Sequence, residues 1–255
     1  MKKSLPLLSL LSLGLIFGGP VDSINKEALA ASHGKNVNWN LSTWGKRRAF
    51  TEGIEAVSKY VADKSGGHFT IKINYGGTLS KPRENLDGIS LGAFEAATFC
   101  ASYHADKNKA VTVLELPFLP ITNGDVQKAA DLAVYSHPAT IKEMKKWNAK
   151  LLMSAALPQY EFMGRGKEPR TIADFKGMRV RALGGIGKAM KVIGAVPTTV
   201  TAPETYRAIE TGTVDAAAFA FYSHFSYKIN EVSKWRTTNL SPGSVNCPLV
   251  VNIDA

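Results

Sequence analysis

Residues 174–219 read DFKGMRVRALGGIGKAMKVIGAVPTTVTAPETYRAIETGTVDAAAF, and their pattern decides the fold. Asp174-Phe175-Lys176-Gly177 is a polar turn closed by glycine. Residues 178–182 form a short strand, with Val180 alternating against Arg179 and Arg181. Residues 184–194 place Ile186, Met190 and Ile193 on one helical stripe, stopped by Gly194. Residues 197–201 are β-branched and strand-like. Pro203 opens a helix at its first turn, Tyr206 and Ile209 share a face, and Gly212 ends it. Residues 214–219 are the next strand. The order is βαβαβ, and open α/β sheets take ligands at the carboxyl ends of their strands. Arg181 ends the first of these strands.

Outward from this unit the rest of the chain reads as α/β. Residues 37–43 are strand-like. Residues 46–64 carry Phe50, Ile54, Val57 and Val61 on one helical face, and Gly66-Gly67 stops them. A strand follows at 69–75, a short helix at 82–90 and a buried strand at 93–100. A long helix is expected over 125–147, then a strand at 151–155. Leu157-Pro158 marks a change of direction. An aromatic helix is expected over 221–232, a strand near 236–240, and a last strand over 248–253.

The first 30 residues have the form of a secretory signal, with Lys2 and Lys3 before an apolar run at 5–17 and Ala28-Leu29-Ala30 as the cleavage pattern. The alternative is an uncleaved anchor, but the run is shorter than the roughly 20 residues a span needs. The chain carries a net charge of +10, and +9 once this segment, with its three lysines and two carboxylates, is removed. That charge favours anionic small molecules. The basic residues are scattered and do not interleave with aromatics, which argues against nucleic acid.

Several segments resemble the periplasmic solute-binding proteins of TRAP transporters, the DctP type. They are DFKGMRVR, the GAVP step, PETYRAIETGTVD and LPFL at 116–119, and the resemblance runs over residues 38–252. It implies a two-lobed, type II-like α/β fold in which each lobe is a mixed sheet flanked by helices around a cleft. Residues 31–157 would form the first lobe, with a return strand at 246–255, and residues 158–245 the second. The family continues with further helices, so the resemblance implies that residues 1–255 are a fragment or a truncated product.

The function implied is that of a periplasmic monomer which captures an organic acid and delivers it to the small and large TRAP membrane subunits. No cofactor and no catalysis are implied. In the family the arginine of the KGxxxR segment grips the ligand carboxylate, and Arg181 falls on it in register. A guanidinium suits this role because its planar fork matches a carboxylate and stays charged. Many members carry a second arginine on the preceding strand, where this chain has Glu161, with Arg165 nearby. Phe219 stands at a position that varies between amide and aromatic, and Tyr222 follows. Trp44, Ser102 and Tyr103 lie at strand ends of the first lobe and are candidates for the opposite wall. Glu161 and the aromatics together point to a monocarboxylate with an apolar body rather than a C4-dicarboxylate. The fold also lays the return strand beside the one ending at Cys100. Cys100 and Cys247 are therefore either bonded or two free thiols.

Two rival functions stand beside this one: a receptor serving another importer or a sensor, and an exported α/β enzyme. The sequence carries no complete enzyme motif. Residues 183–189, LGGIGKA, share glycines and a lysine with a P-loop but have Ala189 where Ser or Thr must hold magnesium. The five histidines, His33, His68, His104, His137 and His224, have no paired metal-site spacing and read as surface or loop residues.

Overall fold

The computed structural model describes residues 36–121, 123–155 and 157–255. The signal segment lies outside the described residues, as does His33. No helix among the described residues is long and apolar enough to cross a membrane.

Two five-stranded mixed sheets form the molecule. The first contains β1 (Val37–Ser42), β2 (Phe69–Asn74), β3 (Ala96–Thr98), β4 (Ala149–Ala155) and β10 (Cys247–Asn252) in the order β2-β1-β3-β10-β4. β1 runs parallel to β2 and β3, while β10 is antiparallel to β3 and β4. The second sheet contains β5 (Tyr160–Gly164), β6 (Arg179–Arg181), β7 (Val196–Thr198), β8 (Ala216–Ala220) and β9 (Trp235–Arg236). Its order is β7-β6-β8-β5-β9, with β6 parallel to β7 and β8, and β5 antiparallel to β8 and β9. Each lobe repeats one plan: three parallel strands, then an antiparallel strand. The chain crosses between sheets after β4 and again before β10.

The helices cover these sheets. α1 (Glu52–Lys64) follows a short 3-10 turn at Ala49–Thr51, and α2 (Asn85–Ser90) precedes β3. The long helix expected over 125–147 is two helices, α3 (Gly124–Ser136) and α4 (Pro138–Lys145). Pro138 disfavours helical backbone at His137, which sits at ψ 135° and caps α4 through Nδ1, accepting from Ala139 N. The second lobe carries α5 (Gly184–Val192), α6 (Thr205–Glu210) and α7 (Phe221–Ser226). The aromatic helix expected over 221–232 stops at Ser226, because Lys228 turns left-handed at φ 59° before a 3-10 turn at Ile229–Glu231. The βαβαβ reading of residues 174–219 matches β6-α5-β7-α6-β8.

Cys100 and Cys247 form a disulfide where β3 ends and β10 begins. Every residue of β8 is buried, and the alanines at 216–218 and 220 let the flanking helices pack close to it.

Candidate functional site

The carboxyl ends of β6 and β8 face the first lobe. Arg179 at the start of β6 is exposed and paired with Asp215 at 2.6 Å. The alternation expected of a half-exposed strand ends there, because Arg181 is only 1 % exposed. A guanidinium so deeply buried requires partners. Arg181 Nε donates to Val200 O at 3.0 Å, Nη1 to Ala218 O at 2.7 Å and Nη2 to the Tyr103 hydroxyl at 3.3 Å. Its Cζ lies 4.0 Å from the centre of the Phe219 ring. Three of the five N–H donors are thereby used, leaving one on each terminal nitrogen.

Arg181 opens onto a small cavity between the lobes, of about 30 Å³. Trp44, Tyr103 and Phe219 line it, together with Arg48, Phe50, Tyr160 and Tyr227 and the disulfide. No acidic side chain is among its lining residues. Tyr160 lies 6.4 Å from Phe219, and burial raises its phenol well above the usual range.

Four residues expected at the site lie outside the lining. Glu161 is tied into the return segment: Oε2 accepts from Thr237 Oγ1 at 2.5 Å and Oε1 from Ser241 N at 3.0 Å. Arg165 is one residue past the far end of β5, where Nη1 donates to Ile209 O and Glu210 O at the C-terminus of α6. Because β5 runs antiparallel to β8, the step from Tyr160 to Arg165 leads away from the cleft by roughly 15 Å. Ser102 donates to Glu115 Oε2 behind the cavity wall. Tyr222 packs half-buried against the second-lobe core, and Ser223 lines the cavity instead. Glu161 therefore does not stand in the cavity as a like charge against a second ligand carboxylate.

Arg48, Tyr160 and Tyr227 were not recognised from sequence. Arg48 falls within the helix expected over 46–64, yet it occupies the N-cap position of the 3-10 turn that precedes α1, where its backbone N donates to Thr51 Oγ1. The histidines at 104 and 224 are also not surface residues. His104 stacks on Phe99 at 5.1 Å, and His224 Nε2 pairs with Glu161 O at 3.0 Å.

The lobes touch at several points beside the cavity. The Tyr103 hydroxyl accepts a second bond from Ala202 N at 2.9 Å, and Arg83 Nη2 donates to Thr199 O at 2.6 Å. Glu115, 1 % exposed, lies against the N-terminus of α5. A Cβ added to Gly185 would stand 1.8 Å from Glu115 O. Glu115 accepts from Ser102 and from Asn246 N, and burial raises its carboxyl to about 7 against the pull of those donors and of Lys188.

The sequence profile described as bacterial extracellular solute-binding protein, family 7 (DctP) matches residues 42–252. The chain belongs to this family. Family 7 relatives include a monocarboxylate 2-oxoacid-binding periplasmic protein of Nostoc sp. (strain PCC 7120), 28% identical over 185 residues, covering 71% of this chain and 50% of that one. A C4-dicarboxylate-binding periplasmic protein of Rhodobacter capsulatus is 26% identical over 211 residues, covering 78% and 58%. The chain thus spans about half the length of the relatives it matches. A solved TRAP solute-binding protein from a marine metagenome, specific for aromatic acids and complexed with 3-hydroxybenzoate, shares the fold. Its TM-score is 0.75 at 22% identity, covering 85% of this chain and 68% of that one.

Proposed function

We propose that this family 7 chain is the solute receptor of a TRAP-type transporter, holding an organic acid by its carboxylate on Arg181. The observation that carries the reading is a fully buried arginine at the inter-lobe cavity, with two N–H donors unspent and no acidic side chain among the lining residues. Such a site favours an anion, and the fork favours a planar one. Phe219 and Trp44 provide apolar faces for the body of the acid. The acids named for the relatives differ in body but share the carboxylate. The receptor works as a monomer, exported with cleavage of its N-terminal segment, and closes its lobes on the acid before passing it to the small and large membrane subunits. It performs no chemistry on its cargo.

A thermal-shift screen of the full chain against organic acids tests the reading, because an acid at 100 times its Kd adds about 2.7 kcal/mol of stability. Arg181→Lys keeps the charge and loses the fork. Calorimetric titration is expected to give a loss of roughly 2 kcal/mol or more in acid binding. Unchanged affinity in that variant contradicts the assignment.

A further inference from the structure

The cavity holds a second guanidinium that the carboxylate reading does not use. Arg48 Nη1 donates to Trp44 O at 2.8 Å and Lys46 O at 2.7 Å. No hydrogen bond among the described residues engages its Nε or Nη2. Its Cζ lies 4.7 Å from the Phe50 ring centre and 5.4 Å from that of Tyr227. These two rings come from opposite lobes, so Arg48 sits between them at the cleft with Nε and Nη2 to spare.

Tyr227 supplies an independent observation. Its hydroxyl is buried and, among the described residues, has no hydrogen-bond partner of full geometry; burial raises the phenol, and the Trp44 indole lowers it as a hydrogen-bond donor without reaching that geometry. An unpaired buried hydroxyl is costly unless something else satisfies it. Gly45, at φ 71°, explains how the two groups meet. A Cβ on Gly45 would stand 2.9 Å from Arg48 Nη1 and 2.9 Å from Tyr227 Oη, so the two side chains meet beside this glycine, with both N–H groups of Nη1 already given to Trp44 O and Lys46 O. Tyr227 also stacks on Phe219 at 5.7 Å, and Phe219 lies under Arg181. The two guanidinium groups therefore flank one pair of stacked rings.

We propose that Arg48 and the Tyr227 hydroxyl form a second recognition point in this cavity, so that the preferred ligand is an acid bearing a second oxygen acceptor a few carbons from its carboxylate. The inference rests on the reading that Arg181 holds the first carboxylate. Charge favours it: two cations and no carboxylate line the cavity, and a lone carboxylate balances one of them. Arg48 belongs to the first lobe and Arg181 to the second, so a ligand with two acceptors joins both lobes. The shared chemistry is an oxygen acceptor, supplied by a carboxylate or by a ketone.

Calorimetry on the full chain with matched acids separates these sources: succinate against butyrate, 2-oxopentanoate against pentanoate, and isophthalate against benzoate. Wild type is expected to prefer the two-acceptor member of at least one pair by about tenfold or more, on the scale of a charge-assisted hydrogen bond. Arg48→Gln should erase that preference, and Tyr227→Phe, which keeps the ring stack, should reduce it. Arg181→Lys should weaken both members alike. Equal binding within every pair, or a preference that survives both Arg48→Gln and Tyr227→Phe, overturns the second point while leaving the carboxylate site standing. Failure of all six acids to bind wild type at millimolar concentration overturns both.

Discussion

The phenol of Tyr103 meets the guanidinium of Arg181 across the cleft, accepting from Nη2 at 3.3 Å while it also accepts from Ala202 N at 2.9 Å. One oxygen of the first lobe thus satisfies two donors of the second. It does so at the arginine proposed to hold the ligand, and on that reading closure and binding share a residue.

Tyr103→Phe keeps the ring against Trp44, at 5.8 Å, and removes only that oxygen. In the closed arrangement Ala202 N and one Arg181 N–H then lack a partner, which costs about 1–3 kcal/mol. The variant should populate a more open form, seen as a larger radius of gyration in solution scattering without ligand. Identical scattering and identical denaturant midpoints for both proteins would remove the latch role.

The Cys100–Cys247 bond closes a loop of 147 residues. Cross-linking so long a loop restricts the unfolded chain, and its loss costs about 2–5 kcal/mol. Cys247→Ser, or reductant added to wild type, should lower the melting temperature. Thiol titration of the unreduced, denatured chain should find no free cysteine; a count of two contradicts the bond.

Glu115 gives a pH dependence with a definite sign. Its carboxyl is raised by burial to about 7, so the folded chain holds a proton that the unfolded chain releases near 4.5. Its stabilising effect is fully present below pH 4.5 and is lost as pH rises to about 7, a change of about 3 kcal/mol. Glu115→Gln keeps the bond from Asn246 N and can donate to Ser102. It should gain on wild type as pH rises through that window. His104 and His224, lowered by burial to about 4, act oppositely: their effect is present above 6.5 and lost as pH falls. The difference between variant and wild type in denaturant titrations at several pH values isolates Glu115. A difference constant from pH 4 to 8 contradicts it.

Gly185→Ala favours the helix by about 1 kcal/mol on propensity alone. Its new Cβ would nevertheless overlap Glu115 O at 1.8 Å. We expect net destabilisation with separation of α5 from the first lobe, read by melting temperature and by scattering. A raised melting temperature with unchanged shape refutes the close approach.

The βαβαβ unit was legible because each of its elements is local: a stripe, a glycine stop, a β-branched run. The break at His137-Pro138 follows from the same local chemistry, but the apolar periodicity on both sides hid it. The cavity was legible only in part. Arg181, Phe219, Trp44 and Tyr103 follow from strand ends, whereas Glu161 and Arg165 sit on β5, whose antiparallel direction sends successive residues away from the cleft. That direction is a property of the sheet and leaves no mark in QYEFMGRG. Arg48 and Tyr227 lie 179 positions apart in sequence, and only the meeting of the lobes brings them together.

Trp44 is 3 % exposed, lines the cavity and stands edge-on to Tyr103. The other three tryptophans are engaged elsewhere: Trp39 against Phe69, Trp147 beside Lys107 and Trp235 donating to Arg165 O. The cleft therefore contains its own optical reporter. A solute that replaces solvent beside this indole should change intrinsic emission at a single position, so occupancy can be followed in real time without attaching a dye.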